Sequence, residues 1–244
     1  MGQDREKFMF RCYKMKAKIL WNSKKKWAVN LSRELDAFLK KKKVKTVKKN
    51  ADFTVVIGGD GTILYNKDKF EGPVLAIGSK KSFVCQCSNE DWEQPVAQFI
   101  SNPKYEERVM LQVQFRKKKF LAINDVAMLS KFHKVLTISV DIGGDEYCFD
   151  ADGVVVSTPT GSTAYAYAAG GPVMEPTLEA LSIVPIAPDK RLFDPVIVSA
   201  GHRISLSSGT QAHIVIDGGK PLQVKKGEKV TITKARKKIK FAIR

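Results

Sequence analysis

Along the first hundred residues, short apolar runs alternate with stretches whose apolar positions repeat at helical spacing. Residues 19–21 predict a first strand. After them Trp27, Ala28, Leu31, Leu35, Phe38 and Leu39 fall on one helical stripe, which implies a buried face, and the lysines at 40–43 suit the negative end of that helix. Residues 44–47, 53–57 and 73–77 predict further strands. Trp92, Val96, Phe99 and Ile100 predict a second helix, which Pro103 stops. Strand alternating with helix is the mark of βα units and a mainly parallel sheet.

Past Glu106 the period changes. Residues 109–115, 120–128, 135–140, 154–157, 197–198, 204–206, 213–216, 230–233 and 239–243 are short, β-branched and often alternating, which predicts an all-β second half. Gly143-Gly144-Asp145 and Asp217-Gly218-Gly219-Lys220 have the composition of tight turns between such runs. The expected organisation is an α/β domain over 17–105 and a β-rich domain over 106–244. With no repeat or low-complexity linker, the two are expected to pack closely, with a cleft between them as the natural ligand site.

The chain has 244 residues, 43% of them hydrophobic, which is the composition of a packed globular protein. No apolar run approaches the ~18–20 residues of a membrane span. The charged stretch 1–18 has no apolar core of a secretory signal, so no membrane association and a cytoplasmic location are expected. Cys12, Cys85, Cys87 and Cys148 include no Cys-x-x-Cys pair and are read as buried, reduced thiols. Against 25 acids stand 42 bases, a net charge of +17 that calls for polyanionic partners or a strongly hydrated surface. The bases sit in scattered lysine clusters with few aromatics between them, which disfavours nucleic acid and favours a phosphate-bearing small substrate.

Three segments have the makings of a site. In Val55-Val56-Ile57-Gly58-Gly59-Asp60-Gly61-Thr62, an apolar strand runs straight into glycines, an acid and a hydroxyl. Gly58, Gly59, Gly61 and Thr62 suit a loop that lets backbone N–H groups approach phosphate oxygens. A carboxylate among them, Asp60, is useful as a ligand of Mg²⁺ or another divalent cation, or as a general base toward an attacking hydroxyl. Asp60-Gly61 as the turn of a β-hairpin is the plain alternative. In the second segment, residues 150–165, a strand ends in hydroxyls around Pro159, with Asp152 just before the strand and Tyr165 after the loop. This suits a flat ligand lying against backbone, or else a surface turn capping a helix at Ser162 or Thr163. The third is Asn124-Asp125, a polar pair inside an apolar strand, able to hydrogen-bond a nucleobase or ribose, or to form a bulge.

Taken in this order, and followed by Gly170-Gly171-Pro172 and Pro185-Ile186-Ala187-Pro188, the three segments closely resemble the NAD kinase family. The resemblance runs from about residue 17 to the C-terminus, and Thr158-Pro159-Thr160-Gly161-Ser162-Thr163-Ala164-Tyr165 is its most specific part. It implies an N-terminal Rossmann-like α/β domain and a C-terminal β-sandwich-like domain. It implies transfer of a phosphoryl group from ATP, another nucleoside triphosphate or polyphosphate to the 2′-hydroxyl of the adenosine ribose of NAD. Asp60 then serves at the transfer centre, with Mg²⁺ available to it; Asn124, Asp125, Asp152, Thr163, Ala164 and Tyr165 hold the dinucleotide; and homodimers or homotetramers are usual.

One stretch departs from the family. Where a Gly-x-Asn and a Gly-x-Leu-Gly-Phe element are usual, this chain reads Gly78-Ser79-Lys80-Lys81-Ser82-Phe83-Val84-Cys85-Gln86. If Lys80 and Lys81 face the acceptor they favour one that carries negative charge, and a relative of the same fold that phosphorylates a sugar, polyol or other nucleoside compound is the alternative activity.

Overall fold

The computed structural model describes residues 15–131 and 134–243, and these form two compact units. Residues up to 105, with 242 and 243, make one unit; residues 106–241 make the other. Cys12 lies outside the described residues.

The first unit is built on strands β1 (Lys16–Trp21), β2 (Lys45–Thr46), β3 (Phe53–Ile57), β4 (Val74–Gly78) and β5 (Cys87–Ser88), paired in parallel. With β6 (Tyr105–Arg108) and β18 (Ile239–Ala242), the sheet has the order β2-β1-β3-β4-β18-β6, and β5 lies beside β4. Every position of β3 and β4 is buried, as in a parallel sheet covered on both faces. Helix α1 (Lys26–Lys41) buries Ala28, Leu31, Leu35 and Leu39, the stripe its sequence predicts, and places Lys40 and Lys41 in its last turn. Helix α3 (Glu93–Ser101) buries Val96 and Phe99. Phe99 meets Phe53 edge-on at 5.3 Å between ring centroids, and Phe38 meets Trp92 in the same way at 5.2 Å. Between them, helix α2 (Asp60–Asn66) follows β3 directly, so Asp60-Gly61 starts a helix and closes no hairpin.

The second unit is an antiparallel sheet of eleven strands. They are β7 (Leu111–Phe115), β8 (Lys118–Ala122), β9 (Asp125–Ser130), β10 (Leu136–Ile142), β11 (Asp145–Ser157), β12 (Ala180–Pro188), β13 (Val196–Ser199), β14 (Ile204–Ser208), β15 (Ala212–Ile216), β16 (Leu222–Val224) and β17 (Val230–Lys234). Alternation sends Leu111, Val113, Phe115, Ile138, Val140, Ile204, Leu206, Val230 and Ile232 into one core. The long strand β11 pairs with β10 over residues 145–151 and with β9 over residues 153–157. At the change-over stands Gly153, where a Cβ would come within 2.5 Å of the Met128 carbonyl oxygen. The fold is therefore the expected one, an α/β unit and a β-rich unit. Gly143-Gly144 forms the two-residue turn between β10 and β11, with φ of +66° and +111°.

Four details differ from the pattern. Residues 120–128 are two strands, broken at Ile123-Asn124. Asp152 lies inside β11 rather than before it, because the ladder with β10 carries the strand back to Asp145. Residues 239–243, whose alternation groups them with the second-half strands, contribute β18 to the first sheet; period fixes a strand's faces and leaves its neighbours open. Of the cysteines expected to be buried, Cys85 and Cys87 are, while Cys148 is exposed on β11, where alternation turns it outward; all three are free thiols.

Candidate functional site

In the first unit, β3 ends at Ile57 and the chain passes through Gly58 (φ +151°) and Gly59 (φ +101°) into α2. Both angles suit glycine. A Cβ on Gly58 would also lie 2.3 Å from Thr62 Oγ1, while Gly61 has nothing within 4 Å of where a side chain would start. The loop is thus tight at its entry and open at Gly61. Asp60 is the first residue of α2, and its carboxylate accepts backbone N–H groups from the 79–86 segment. Phe83 N–H donates to Oδ2 at 2.9 Å and Val84 N–H to Oδ1 at 3.1 Å, while the Cys85 thiol donates to Oδ1 at 3.6 Å. The segment that departs from the family is therefore the one that fixes the orientation of Asp60. Lys80 does not contribute to this hold: its ammonium pairs with Glu90 at 2.7 Å on the surface.

Lys25, which the sequence offered only as part of a basic cluster, donates from Nζ to the Gly58 carbonyl at 2.8 Å. The signal was topological. Strands β1 and β3 are parallel neighbours, so the loops leaving their C-terminal ends lie side by side, and Asn22 N–H donates to the Ile57 carbonyl at 2.9 Å. Beside this loop is a cavity of about 650 Å³, lined among others by Trp21, Asn22, Lys24, Gly61, Thr62 and Tyr65.

In the second unit, Asn124 and Asp125 stand at the break between β8 and β9, and both are buried. The 158–165 loop is folded onto them. Thr158 donates its N–H to the Asn124 carbonyl at 2.8 Å and its hydroxyl to the Ile123 carbonyl at 2.6 Å, and Ser157 Oγ also donates to the Asn124 carbonyl. Gly161 packs so closely that a Cβ there would lie 2.2 Å from the Asn124 carbonyl oxygen. The hydroxyl cluster thus serves mostly the loop itself: Ser162 Oγ donates to the Pro159 carbonyl and accepts from Met174 N–H. The reading of these residues as a surface turn fails, since Thr158, Thr160 and Ser162 are buried. After a 3₁₀ turn at Thr160–Thr163, the short helix α4 (Tyr165–Ala168) is pinned by Ala166, which packs on Ala127, Val155 and Val184.

That anchor leaves Thr163 exposed, Ala164 half-buried and Tyr165 39% exposed. Partial burial raises the Tyr165 phenol above its ordinary range, and the negative charges of Asp125 and Asp152 raise it further, so these three side chains share one electrostatic neighbourhood. Two polar atoms among the described residues of this region are buried without a partner: Asn124 Oδ1 and Thr160 Oγ1. A buried acceptor without a donor is costly, and Asn124 Oδ1 is thereby suited to a donor group on a ligand. Of the expected site residues, Gly58, Gly59, Asp60, Gly61 and Thr62 form one constellation, and Asn124, Asp125, Asp152, Thr163, Ala164 and Tyr165 occupy the second unit.

These features define a two-unit protein with a glycine-and-aspartate loop after a parallel strand and a polar, loop-covered pair at a strand break. The model of the ATP-NAD kinase C-terminal domain matches residues 123–243. An NAD kinase of Fusobacterium nucleatum is 33% identical over 245 residues, covering 94% of this chain and 92% of the relative. Among solved structures, an NAD kinase from Archaeoglobus fulgidus in complex with ATP superposes with a TM-score of 0.82 at 28% identity, covering 93% of both chains. Yeast NADH kinase complexed with NADH shares the fold, with a TM-score of 0.78 at 20% identity over 94% of this chain and 83% of that one. The chain belongs to the NAD kinase family.

The setting of Asp60 makes a prediction about thiols. Burial pushes the Cys85 thiol up to about 12, and the negative charge of Asp60 adds to the effect. A raised value keeps the thiol protonated at every pH below it, so alkylation at pH 8 is expected to modify exposed Cys148 and spare Cys85 until the protein is unfolded. Peptide mapping that finds Cys85 of the native protein alkylated as fast as Cys148 would contradict this arrangement.

Proposed function

We infer that this chain is a phosphotransferase, an NAD kinase that transfers a phosphoryl group from ATP to the 2′-hydroxyl of the adenosine ribose of NAD. The observation that carries the reading is the Asp60 constellation, a carboxylate fixed between a glycine loop and the 79–86 segment, in a chain that shares its fold end to end with an ATP-bound NAD kinase. Other nucleoside triphosphates and polyphosphate are donors of the same chemistry.

Phosphoryl transfer asks little covalent chemistry of a protein; it asks for position and charge. On this reading Gly58, Gly59, Gly61 and Thr62 receive the donor phosphates. Gly61 gives the closest approach because nothing occupies the space beside its Cα. Lys25, held on the Gly58 carbonyl, supplies positive charge there. Asp60 takes the proton of the ribose hydroxyl as its oxygen forms a bond to the γ-phosphorus and the bond to the bridging oxygen of the leaving diphosphate breaks. With Val84 N–H and the Cys85 thiol on Oδ1 and only Phe83 N–H on Oδ2, a lone pair stays open on Oδ2, so the same group can receive that proton or ligate a cation. Among the described residues no group of three His, Cys, Asp or Glu side chains could hold a metal ion. Mg²⁺ would therefore be carried mainly by the donor phosphates, with Asp60 its protein carboxylate, and when bound it would neutralise charge on those phosphates.

Asn124, Asp125, Asp152, Thr163, Ala164 and Tyr165 hold the dinucleotide. The partnerless Asn124 Oδ1 suits an amine or hydroxyl donor, and the half-open Tyr165 ring offers a face to a planar group. Cytoplasmic residence and assembly into homodimers or homotetramers belong to the same proposal. The family resemblance supports the assembly, as do exposed apolar side chains in the second unit such as Tyr167, Val173 and Leu192. No helix among the described residues is long and apolar enough to cross a membrane.

Asp60→Asn removes the carboxylate's basicity in a nearly isosteric side chain and gives up only one of its two backbone N–H bonds, at a site open to water. Turnover of NAD with ATP and Mg²⁺ is expected to fall ~10²–10⁴-fold while the melting temperature stays near that of the wild type. Wild-type turnover in the variant would remove Asp60 from the chemistry, and a wild-type protein inactive on NAD would remove the acceptor.

A further inference from the structure

The turn Asp217-Gly218-Gly219-Lys220 reads in sequence as a simple connection between β15 and β16, and it does connect them. Its first residue does more. Asp217 is buried, holds φ at +49°, and reaches across to the break between β8 and β9. Its Oδ1 accepts the N–H groups of Ile123 (3.2 Å), Asn124 (2.8 Å) and Asp125 (3.2 Å), and its Oδ2 accepts from Ile123 N–H at 2.9 Å. The backbone closes the link in the other direction, with Asp217 N–H donating to the Asp125 carbonyl at 3.0 Å. Three consecutive N–H groups thus converge on one carboxylate. Such charge-assisted bonds are about twice as strong as neutral ones.

The carbonyls of the same tripeptide face a different partner. Those of Ile123 and Asn124 accept from Thr158 and Ser157, and Gly161 lies against the Asn124 backbone. Residues 123–125 are therefore clamped, their N–H groups to the Asp217 carboxylate, the carbonyls of 123 and 124 to Ser157 and Thr158, and that of 125 to the Asp217 N–H. The side chain this clamp presents is that of Asn124, whose buried Oδ1 has no partner among the described residues.

We propose that Asp217 is a positioning residue for the acceptor nucleotide, holding Asn124 and Asp125 in the one backbone orientation that presents the side-chain Oδ1 of Asn124 to a donor group of the substrate. This rests on the reading of Asn124 as an acceptor contact. An amide at position 217 cannot do the same work. With its oxygen in the place of Oδ1, its NH₂ would face the Ile123 N–H, donor against donor, and the negative charge would be lost.

The test is steady-state kinetics with NAD and ATP on the full chain, for wild type, Asp217→Asn, Asp217→Glu, Asn124→Ala and the Asp217→Asn/Asn124→Ala double variant, with melting temperatures alongside. Asp217→Asn is expected to raise the KM for NAD about tenfold with the KM for ATP little changed, as loss of a substrate-orienting contact requires, and to lower the melting temperature by a few degrees because one buried N–H loses its acceptor. Asp217→Glu, which keeps the carboxylate, is expected to recover most of that loss. In the Asn124→Ala background Asp217→Asn should cost little more, because both changes remove the same contact. Equal rises in both KM values, additive effects in the double variant, failure of Asp217→Asn to fold, or lost stability with an unchanged KM for NAD would each overturn the proposal. Absence of NAD turnover in the wild type would instead overturn the functional reading, and this inference with it.

Discussion

A buried backbone N–H without an acceptor costs as much as a lost hydrogen bond, and strands that end inside a protein strand such groups at their tips. In the second unit the remedy is a carboxylate from a distant part of the sequence, and in the first a carboxylate holds a more exposed segment by the same kind of bond. Asp60 accepts the N–H groups of Phe83 and Val84, and Asp217 accepts those of Ile123, Asn124 and Asp125. Each carboxylate therefore fixes a segment beside one of the two constellations. Without these bonds the 79–86 segment and the strand break at 123–124 would have to seek other acceptors, and the side chains they orient would go with them.

The same constraint explains which glycines the fold needs. Gly161 lets the 158–165 loop come close enough for its hydroxyls to take the carbonyls of residues 123 and 124. Gly58 lets β3 pass into α2 beside Thr62 without a clash. The 158–165 loop is held by its own backbone and hydroxyls, and the Gly58 loop by backbone bonds and the Lys25 ammonium. The side chains that the proposed function asks most of are the carboxylate of Asp60, the amide of Asn124 and the ring of Tyr165.

Much of this was legible in the chain. The unbroken run at 53–57 followed by two glycines announced a buried strand entering a tight glycine loop, and the apolar stripe of 27–39 announced a helix with one buried face. Asn124-Asp125 and residues 158–165 marked the second constellation. What stayed hidden depends on long-range pairing. Residues 180–188 read poorly as a strand because of Pro185 and Pro188, yet β13 pairs with β12 only over residues 180–183, so the missing N–H groups fall where one ladder suffices. Lys25 was masked by its lysine neighbours, and only the adjacency of β1 and β3 singles it out. Asp217 was masked by turn chemistry: Asp-Gly-Gly explains itself as a turn, and the destination of the carboxylate lies more than ninety residues away. The hydroxyls of Ser157, Thr158 and Ser162 misled in the other direction, since composition cannot show that they are spent on carbonyls and N–H groups of the loop.

The central claim is that donor and acceptor are held by different constellations, phosphates at residues 58–62 and the dinucleotide around Asn124 and Tyr165. Amide chemical shifts of the isotope-labelled full chain, titrated separately with NAD and with ATP, test it most directly. NAD is predicted to shift the side-chain amide of Asn124 and the backbone of Gly161, Thr163 and Tyr165, and ATP to shift Gly58, Gly59, Gly61 and Thr62. NAD shifts confined to residues 58–62, with Asn124 and the 161–165 loop unmoved at saturation, would contradict the account.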